Sequence, residues 1–250
     1  MGLFDLFKSK GDKKTEARGK SNPADKWAQA AGDKRAQNYD RQEALQALAD
    51  MKSPEAAAAL LKRFTFNIDP SITDQEEKEL AIHGVLAAGQ DAIEPIRAFV
   101  AKADSVAMPI KIMKELVDEE KYVDELVLWL ERWDTEYAKF IDPKIQLLVA
   151  LGDHKNPKIR EAVEPFLTDA NETARFHAVV TTLAQDDPAA LEALLTTLAD
   201  EESFRVKNKI CDGISLRGWT VPEEERDRVR KSLPPDYVVD GTGKLTSRAP

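Results

Sequence analysis

Apolar residues recur along most of the chain at the spacing of an α-helix. From about residue 38 to residue 232, short segments carry apolar side chains near positions i, i+3, i+4 and i+7, which places them on one helix face. Examples are Ala57, Leu60, Leu61 and Phe64, and Leu191, Leu194, Leu195 and Leu198. A strand pattern competes weakly in YVVDGTGKLT, where Asp240-Gly241 is a hairpin-turn signal. The pattern predicts an all-α fold.

Prolines and glycines separate these segments. Prolines stand where the first turn of a helix is expected, at a position where no backbone hydrogen bond is lost: Pro54, Pro157, Pro188 and Pro222. Glycines follow apolar stripes, where a left-handed C-terminal cap is expected: Gly89, Gly152 and Gly218. Successive second helices then begin roughly 30 to 37 residues apart, which is the period of a helical repeat.

Two similar stretches, AIEPI at 92–96 and AVEPF at 162–166, place a proline inside an apolar helical frame. Pro95 falls in the first turn of a helix that begins near Asp91, so it marks a start. Pro165 comes after Pro157, which already starts that helix, so we expect a kink at Pro165. TDQE at 73–76 has the pattern of a capping box.

Composition narrows the class of protein. The 250 residues are 42% hydrophobic and 32% charged, with a formal net charge of -9. This balance is typical of a helical globular protein and disfavours nucleic-acid binding, since phosphate contacts need a cationic surface. Cys211 is the single cysteine, which indicates a reducing compartment. Because we find neither a bilayer-spanning apolar run nor a secretory segment, we expect a cytoplasmic protein.

Three stretches resemble HEAT-like repeats, particularly the short type also found in phycobiliprotein lyases: LAAGQDAIEPIRAFV, NPKIREAVEPFLTDANETARFHAVVTTL and LLTTLADEESFRVKNKICDGI. In the last two, Asp169 with Arg175 and Asp200 with Arg205 fall near the Asp and Arg that HEAT units place around a helix start. The resemblance covers roughly residues 38 to 232. It implies an α-solenoid, a right-handed superhelix of about five to six helix pairs whose second helices line a concave face, and it implies a protein-binding scaffold.

Residues 1–37 precede the predicted array and divide into a short amphipathic segment and a basic, flexible tail. The segment MGLFDLF places four apolar residues close together: Leu3, Phe4, Leu6 and Phe7. An apolar edge beside basic residues fits a groove on a partner protein, the end of the array itself, or a weak and salt-sensitive contact with an anionic membrane surface. An unattached tail is the remaining interpretation. Residues 233–250 form a C-terminal tail with the hairpin signal.

Candidate partner-binding residues within the array follow from their positions; for each arginine among them, an ordinary solvated charge is the alternative interpretation. Four arginines belong to predicted second helices, two apolar residues flank the long connection TFNIDPSIT, and one tyrosine ends an acidic, aromatic stretch. These residues are Arg63, Arg97, Arg132 and Arg160, then Phe66 and Ile72, then Tyr137. The apolar pair is expected either to be exposed or to fold back over a helix junction. In the acidic stretch, Trp129 and Trp133 share a stripe with leucines, which favours core packing.

No pattern of catalytic residues emerges from the sequence. His83, His154 and His177 have no cysteine or histidine at metal-ligand spacing, and Walker, dinucleotide and Gly-x-Ser-x-Gly motifs are missing. We therefore expect a non-enzymatic protein-binding adaptor without metal or cofactor. The alternatives are a peripheral membrane organiser and, on the family resemblance alone, an enzyme that attaches bilins or excises DNA bases.

Overall fold

The computed structural model describes residues 22–248, which contain thirteen α-helices and two short β-strands. The first seven helices are α1 (Asp25–Ala31), α2 (Asn38–Met51), α3 (Pro54–Leu61), α4 (Ser71–Ala87), α5 (Ile93–Val100), α6 (Ala107–Leu116) and α7 (Glu119–Leu130). The remaining elements are α8 (Asp142–Gly152), α9 (Pro157–Val163), α10 (Glu172–Ala184), α11 (Leu191–Asp200), α12 (Phe204–Arg217), α13 (Arg226–Ser232), β1 (Tyr237–Val239) and β2 (Leu245–Ser247). The fold is mostly helical, as predicted.

Local sequence explains where many of these helices begin. Ser53, Asn156, Asn171 and Ser203 each accept a backbone N–H of the first turn that follows. Such caps satisfy donors that have no partner inside the helix. Pro54 and Pro157 follow directly after a capping residue, at the position where proline removes no helical hydrogen bond. The predicted helix starts at these two prolines are confirmed.

Helices α2 to α13 pack in two rows. In the first row, α2, α4, α6, α8, α10 and α12 each contact the next member. In the second row, α3 packs on α5, α7 on α9, and α11 on α13; a 3-10 turn after α9 contacts α11. Each apolar stripe is buried between neighbours, and each of the thirteen helices contributes at least one residue to a shared core. The arrangement is repeat-like and is compatible with a helical solenoid.

Several local predictions are confirmed. Gly89 and Gly218 have φ of 61° and 64°, which is the left-handed conformation expected of glycine after a helix. Pro95 lies in the first turn of α5. At Pro165 the effect exceeds a kink, because α9 ends at Val163 and the chain continues as a 3-10 turn over Glu164–Thr168. Trp129 is fully buried in the core, as its stripe predicted.

Three local predictions are wrong. Gly152 remains inside α8, where a β-carbon would lie 3.0 Å from Thr181 Oγ1, so close packing accounts for this glycine. The capping box at 73–76 does not form, because α4 already begins at Ser71. Helical structure also begins before residue 38: α1 packs on α2 and α3 and buries Ala31.

The C-terminal strands form an antiparallel hairpin at the place where the sequence predicted one. Val239 pairs with Leu245, and both side chains are buried. Gly243 has a φ of 88°, and a β-carbon there would lie 2.3 Å from the Val221 carbonyl oxygen. Arg226 holds the turn by donating to the carbonyl oxygens of Gly241 and Thr242. The hairpin therefore packs against the last helix pair instead of leaving the array.

Candidate functional site

An apolar groove lies on the second-row face between α3 and α5. We call it the α3–α5 groove; its volume is about 430 Å³. Half-buried Phe64, from the 3-10 turn that follows α3, and half-buried Phe99, from α5, both line it. Ala58, Pro95 and Ala98 supply the other apolar surface. Alanines at the closest positions leave the space open, and the two phenylalanine rings offer contact area to an apolar side chain.

The rim of the α3–α5 groove carries charge. Lys62 and Lys102 line it and are exposed, and so is Asp104. No ion pair of Lys62 or Lys102 is found in residues 22–248. The site thus combines an apolar floor with two lysines and one aspartate at its edge.

A second groove lies further along the same row, between α9 and α11. We call it the α9–α11 groove; its volume is about 720 Å³. It opens where Pro165 ends α9 and the chain continues as a 3-10 turn. Glu161, Glu164 and Glu192 line it together with Arg160. Compared with the α3–α5 groove it is therefore polar and carries more negative charge, so it suits a polar or basic segment.

Arg160 is a predicted site residue that lines the α9–α11 groove. Its Nη1 donates to Glu164 at 2.8 Å, and its Nε lies 2.8 Å from Asp187 Oδ2. The guanidinium is thus held by carboxylates of both flanking segments. A ligand in this groove meets an arginine whose position is already set.

Arg97 and Arg132 lie on the second-row side but outside the lining of either groove. Arg97, on α5, forms a two-point ion pair with Glu125 of α7 and a further pair with Glu94. The Glu125 carboxylate, opposed by burial, raises the pKa of the Arg97 guanidinium. Arg132 follows the end of α7 and donates to the Arg97 carbonyl oxygen at 3.4 Å.

Arg63 must be corrected as a surface candidate, because its side chain is completely buried. Its Nε donates to Glu77 at 2.6 Å and its Nη2 to Asp74 at 2.7 Å. Arg41, also buried, donates from Nε to the same Glu77 carboxylate at 2.7 Å. The buried pairing of two arginines with one glutamate holds together α2, α4 and the turn that follows α3.

Asp74 completes this network. Its carboxylate accepts from Lys78 at 2.6 Å, from Arg63 and from the Ile68 backbone N–H at 3.0 Å. Burial raises the pKa of Asp74, but the hydrogen bonds outweigh it and lower the value to about 2. Asp74 belongs to the predicted capping box, but its side chain instead holds the connection before α4 through Ile68 and Arg63.

The two candidate residues of the long connection TFNIDPSIT, Phe66 and Ile72, differ in exposure. Phe66 is half-buried; the Arg63 guanidinium carbon lies 4.5 Å from its ring centroid, and its carbonyl oxygen accepts from Arg63. Ile72 is 70% exposed in the first turn of α4, away from both grooves. Tyr137 is 83% exposed in the segment between α7 and α8, beside exposed Phe140. Leu3, Phe4, Leu6 and Phe7 lie outside the described residues.

Ion pairs with at least one fully buried partner join successive helix pairs, and sequence reasoning identified them only in part. Asp169 pairs with Lys144 of the preceding first-row helix, Nζ to Oδ2 at 2.6 Å, and both side chains are completely buried. Arg175 donates to Glu201 through Nε at 2.7 Å and Nη2 at 2.8 Å. The acidic partner in the last repeat is therefore Glu201 and not the neighbouring, exposed Asp200.

A short local signal accompanies both acidic residues. Asp169 accepts the backbone N–H of Asn171 at 2.8 Å, and Glu201 accepts that of Ser203 at 2.8 Å. Asn171 and Ser203 then cap the helices that follow. An acidic residue two positions before an Asn or Ser cap, with a cation about one helix pair upstream, would have identified these two ion pairs, which we call the ion-pair ladder. No comparable signal marks the groove residues Phe99 and Lys102.

The described residues hold no cluster of three His, Cys, Asp or Glu side chains placed to bind a metal ion. His154 lies 3.1 Å from Glu119 and edge-on to the Tyr122 ring. Burial, with a contribution from Arg205, lowers the pKa of His177. Cys211 is buried on α12, and burial raises the pKa of its thiol to about 12. Cys211 is therefore a packing residue of the core, and the His154 contacts join α7 to the turn that follows α8.

Among residues 22–248, none of the helices combines the length and the apolar character needed to cross a bilayer. We compared the chain with models of protein families, with curated proteins and with solved structures, and none of the three comparisons returned a match.

Proposed function

We propose that this protein is a non-enzymatic scaffold that binds partner proteins along the second-row face of a HEAT-type α-solenoid. The observation that carries the proposal is the presence of two open grooves on that face, each between successive second-row helices. In a right-handed superhelix of HEAT units the second helices line the concave surface, so both grooves face a partner lying along it. The HEAT-like stretches of the sequence support the same assignment.

The two grooves differ in chemistry, so the surface recognises an extended partner at two distinct points. The α3–α5 groove takes apolar side chains against Phe64 and Phe99. The α9–α11 groove takes polar or basic groups against its glutamates. Apolar contact supplies affinity, while the charge pattern sets orientation and excludes partners of the wrong polarity.

The test compares three full-length variants at exposed positions. Ala98→Arg fills the α3–α5 groove, Ala189→Arg fills the α9–α11 groove, and Gln42→Arg adds the same charge to α2 in the first row. Each variant is used for quantitative affinity purification from the native cell, after circular dichroism shows unchanged helicity. We expect the same proteins to fall at least about tenfold in one or both groove variants and to remain with Gln42→Arg. If every recovered protein is indifferent to both groove variants, the proposal is wrong.

A further inference from the structure

The α3–α5 groove lies beside the point at which the described chain begins. Helix α1 packs on α3, and a β-carbon at Gly32, just after α1, would lie 3.3 Å from Lys62 Cβ on the groove rim. Helix α1 is only seven residues long, which corresponds to about 10 Å. The chain therefore enters the described structure within a short distance of the groove.

Residues 1–21 lie outside the described structure, and their length is sufficient to reach the groove. Between Phe7 and Asn22 the linking stretch spans residues 8–21. For comparison, a random-coil chain of fourteen residues has a root-mean-square end-to-end distance of about 20 Å, and a fully extended one reaches about 45 Å. Four apolar side chains precede it within a few residues: Leu3, Phe4, Leu6 and Phe7.

We propose that these four side chains occupy the α3–α5 groove of their own chain when no partner is bound. The groove offers the matching surface, since Phe64, Phe99 and Ala98 present an apolar floor that the described residues leave uncovered. A tethered segment is present at an effective concentration on the order of millimolar, so even weak apolar contact fills the groove. A partner segment must displace it, which makes the tether a competitor for the site.

Charge distinguishes this occupant from a membrane surface. The linking stretch, residues 8–21, carries six basic and two acidic side chains, a net charge of +4, and the rim carries Lys62 and Lys102 against Asp104, also net positive. Docking is therefore driven by apolar contact against mild repulsion, and added salt strengthens it by screening. Contact of the same residues with an anionic lipid surface would weaken with salt. The two alternatives respond to ionic strength in opposite directions.

The test uses paired cysteines in the full-length chain. Cys211 does not interfere because it is buried and its thiol pKa is raised to about 12. Gly2→Cys is combined with Ala98→Cys at the groove or with Gln42→Cys on α2. Helix α2 also packs on α1, so the second pair has a comparable tether length. Disulfide formation in oxidised glutathione is followed by peptide mapping. We expect the Ala98 pair to form at least about tenfold faster than the Gln42 pair.

A matched variant separates docking from mere tethering. Phe4→Ser with Phe7→Ser leaves the linker and its charges unchanged but removes apolar contact, so the ratio of the two rates should fall to about one. Higher salt should increase the ratio for the intact segment. A ratio near one for the intact segment, cross-links that join two chains, or a ratio that falls as salt is raised would each overturn intramolecular docking.

The inference rests on the proposed function only in treating the α3–α5 groove as a binding surface. The two can fail separately. If cross-linking shows no preference for Ala98 while Ala98→Arg still loses partner proteins in the purification, the groove binds other proteins and the tethered occupant is wrong. If cross-linking favours Ala98 and no partner depends on either groove, the scaffold proposal is wrong.

Discussion

Replacement of Glu77 by glutamine should destabilise the protein more than any conservative surface change. The Glu77 carboxylate is 2% exposed and pairs with Arg41 at 2.7 Å and Arg63 at 2.6 Å. Arg63 keeps a second carboxylate in Asp74, but Arg41 is left with only the Ala36 carbonyl and the Asn38 amide oxygen. Among residues 22–248, Arg41 is then left without a charged partner.

The magnitude follows from that single uncompensated charge. Removing one partner of a buried ion pair costs about 3–5 kcal/mol. Glutamine retains the shape and one acceptor oxygen, so we expect about 3 kcal/mol for Glu77→Gln. For a chain of this size that corresponds to a fall in melting temperature of about 6–12 °C. Against a total stability on the order of 5–15 kcal/mol, the loss is large.

Urea denaturation of the full-length chain, followed by far-UV circular dichroism and tryptophan fluorescence, measures this loss. Glu79→Gln is the matched control, because it makes the same chemical change at an exposed position of α4 and should stay within about 0.5 kcal/mol. Arg41→Met together with Glu77→Leu should recover much of the stability, since the buried charges leave together and Arg63 keeps Asp74. A loss below about 1 kcal/mol for Glu77→Gln would refute the reasoning.

Three further predictions use the same denaturation assay. Gly213→Ala should cost about 1–3 kcal/mol, because the new methyl group would lie 2.3 Å from a Leu183 methyl carbon; a neutral result would show that the helices separate freely. In the folded chain the pKa of Asp74 is lowered to about 2. The ionised carboxylate therefore stabilises the fold above pH 4, and this contribution is lost as the pH falls towards 2. The advantage of wild type over Asp74→Asn in free energy of unfolding, about 2 kcal/mol above pH 4, should shrink over that interval. Glu201→Gln should destabilise by about 2–3 kcal/mol and Asp200→Asn by less than about 0.5 kcal/mol; the reverse order would contradict the ladder assignment.

The helices were predictable because each depends on residues close together in sequence. Apolar spacing identifies a buried stripe, and Ser53, Pro54, Asn156 and Pro157 mark starts through hydrogen bonds within one turn. Pairwise stacking follows, since an isolated pair cannot bury its stripe. The position of the break at Pro165 was predictable, but the change from α-helix to a 3-10 turn was not.

Long-range partners explain most of what the sequence did not reveal. Glu77 meets Arg41 from 36 residues away and Arg63 from 14, and nothing near Glu77 distinguishes it from Glu79. Glu201 and Asp200 differ by one residue, and only the exact end of α11 decides which carboxylate turns inward. The α3–α5 groove depends on how closely two helices approach, so its lining could not be read from either helix alone.

The positions of the ion pairs have a mechanical consequence. Along the first row, the pairs that join α2 to α4, α8 to α10 and α10 to the start of α12 are buried or nearly so. Along the second row, the Arg97–Glu125 pair that joins α5 to α7 has a buried carboxylate, whereas the Lys158–Asp124 pair that joins α7 to α9 is about half exposed and the Arg160–Asp187 pair is partly exposed. Exposed pairs contribute little resistance, whereas a buried pair can be broken only at high cost. We therefore expect the second row to open and close more readily than the first where α7, α9 and α11 meet.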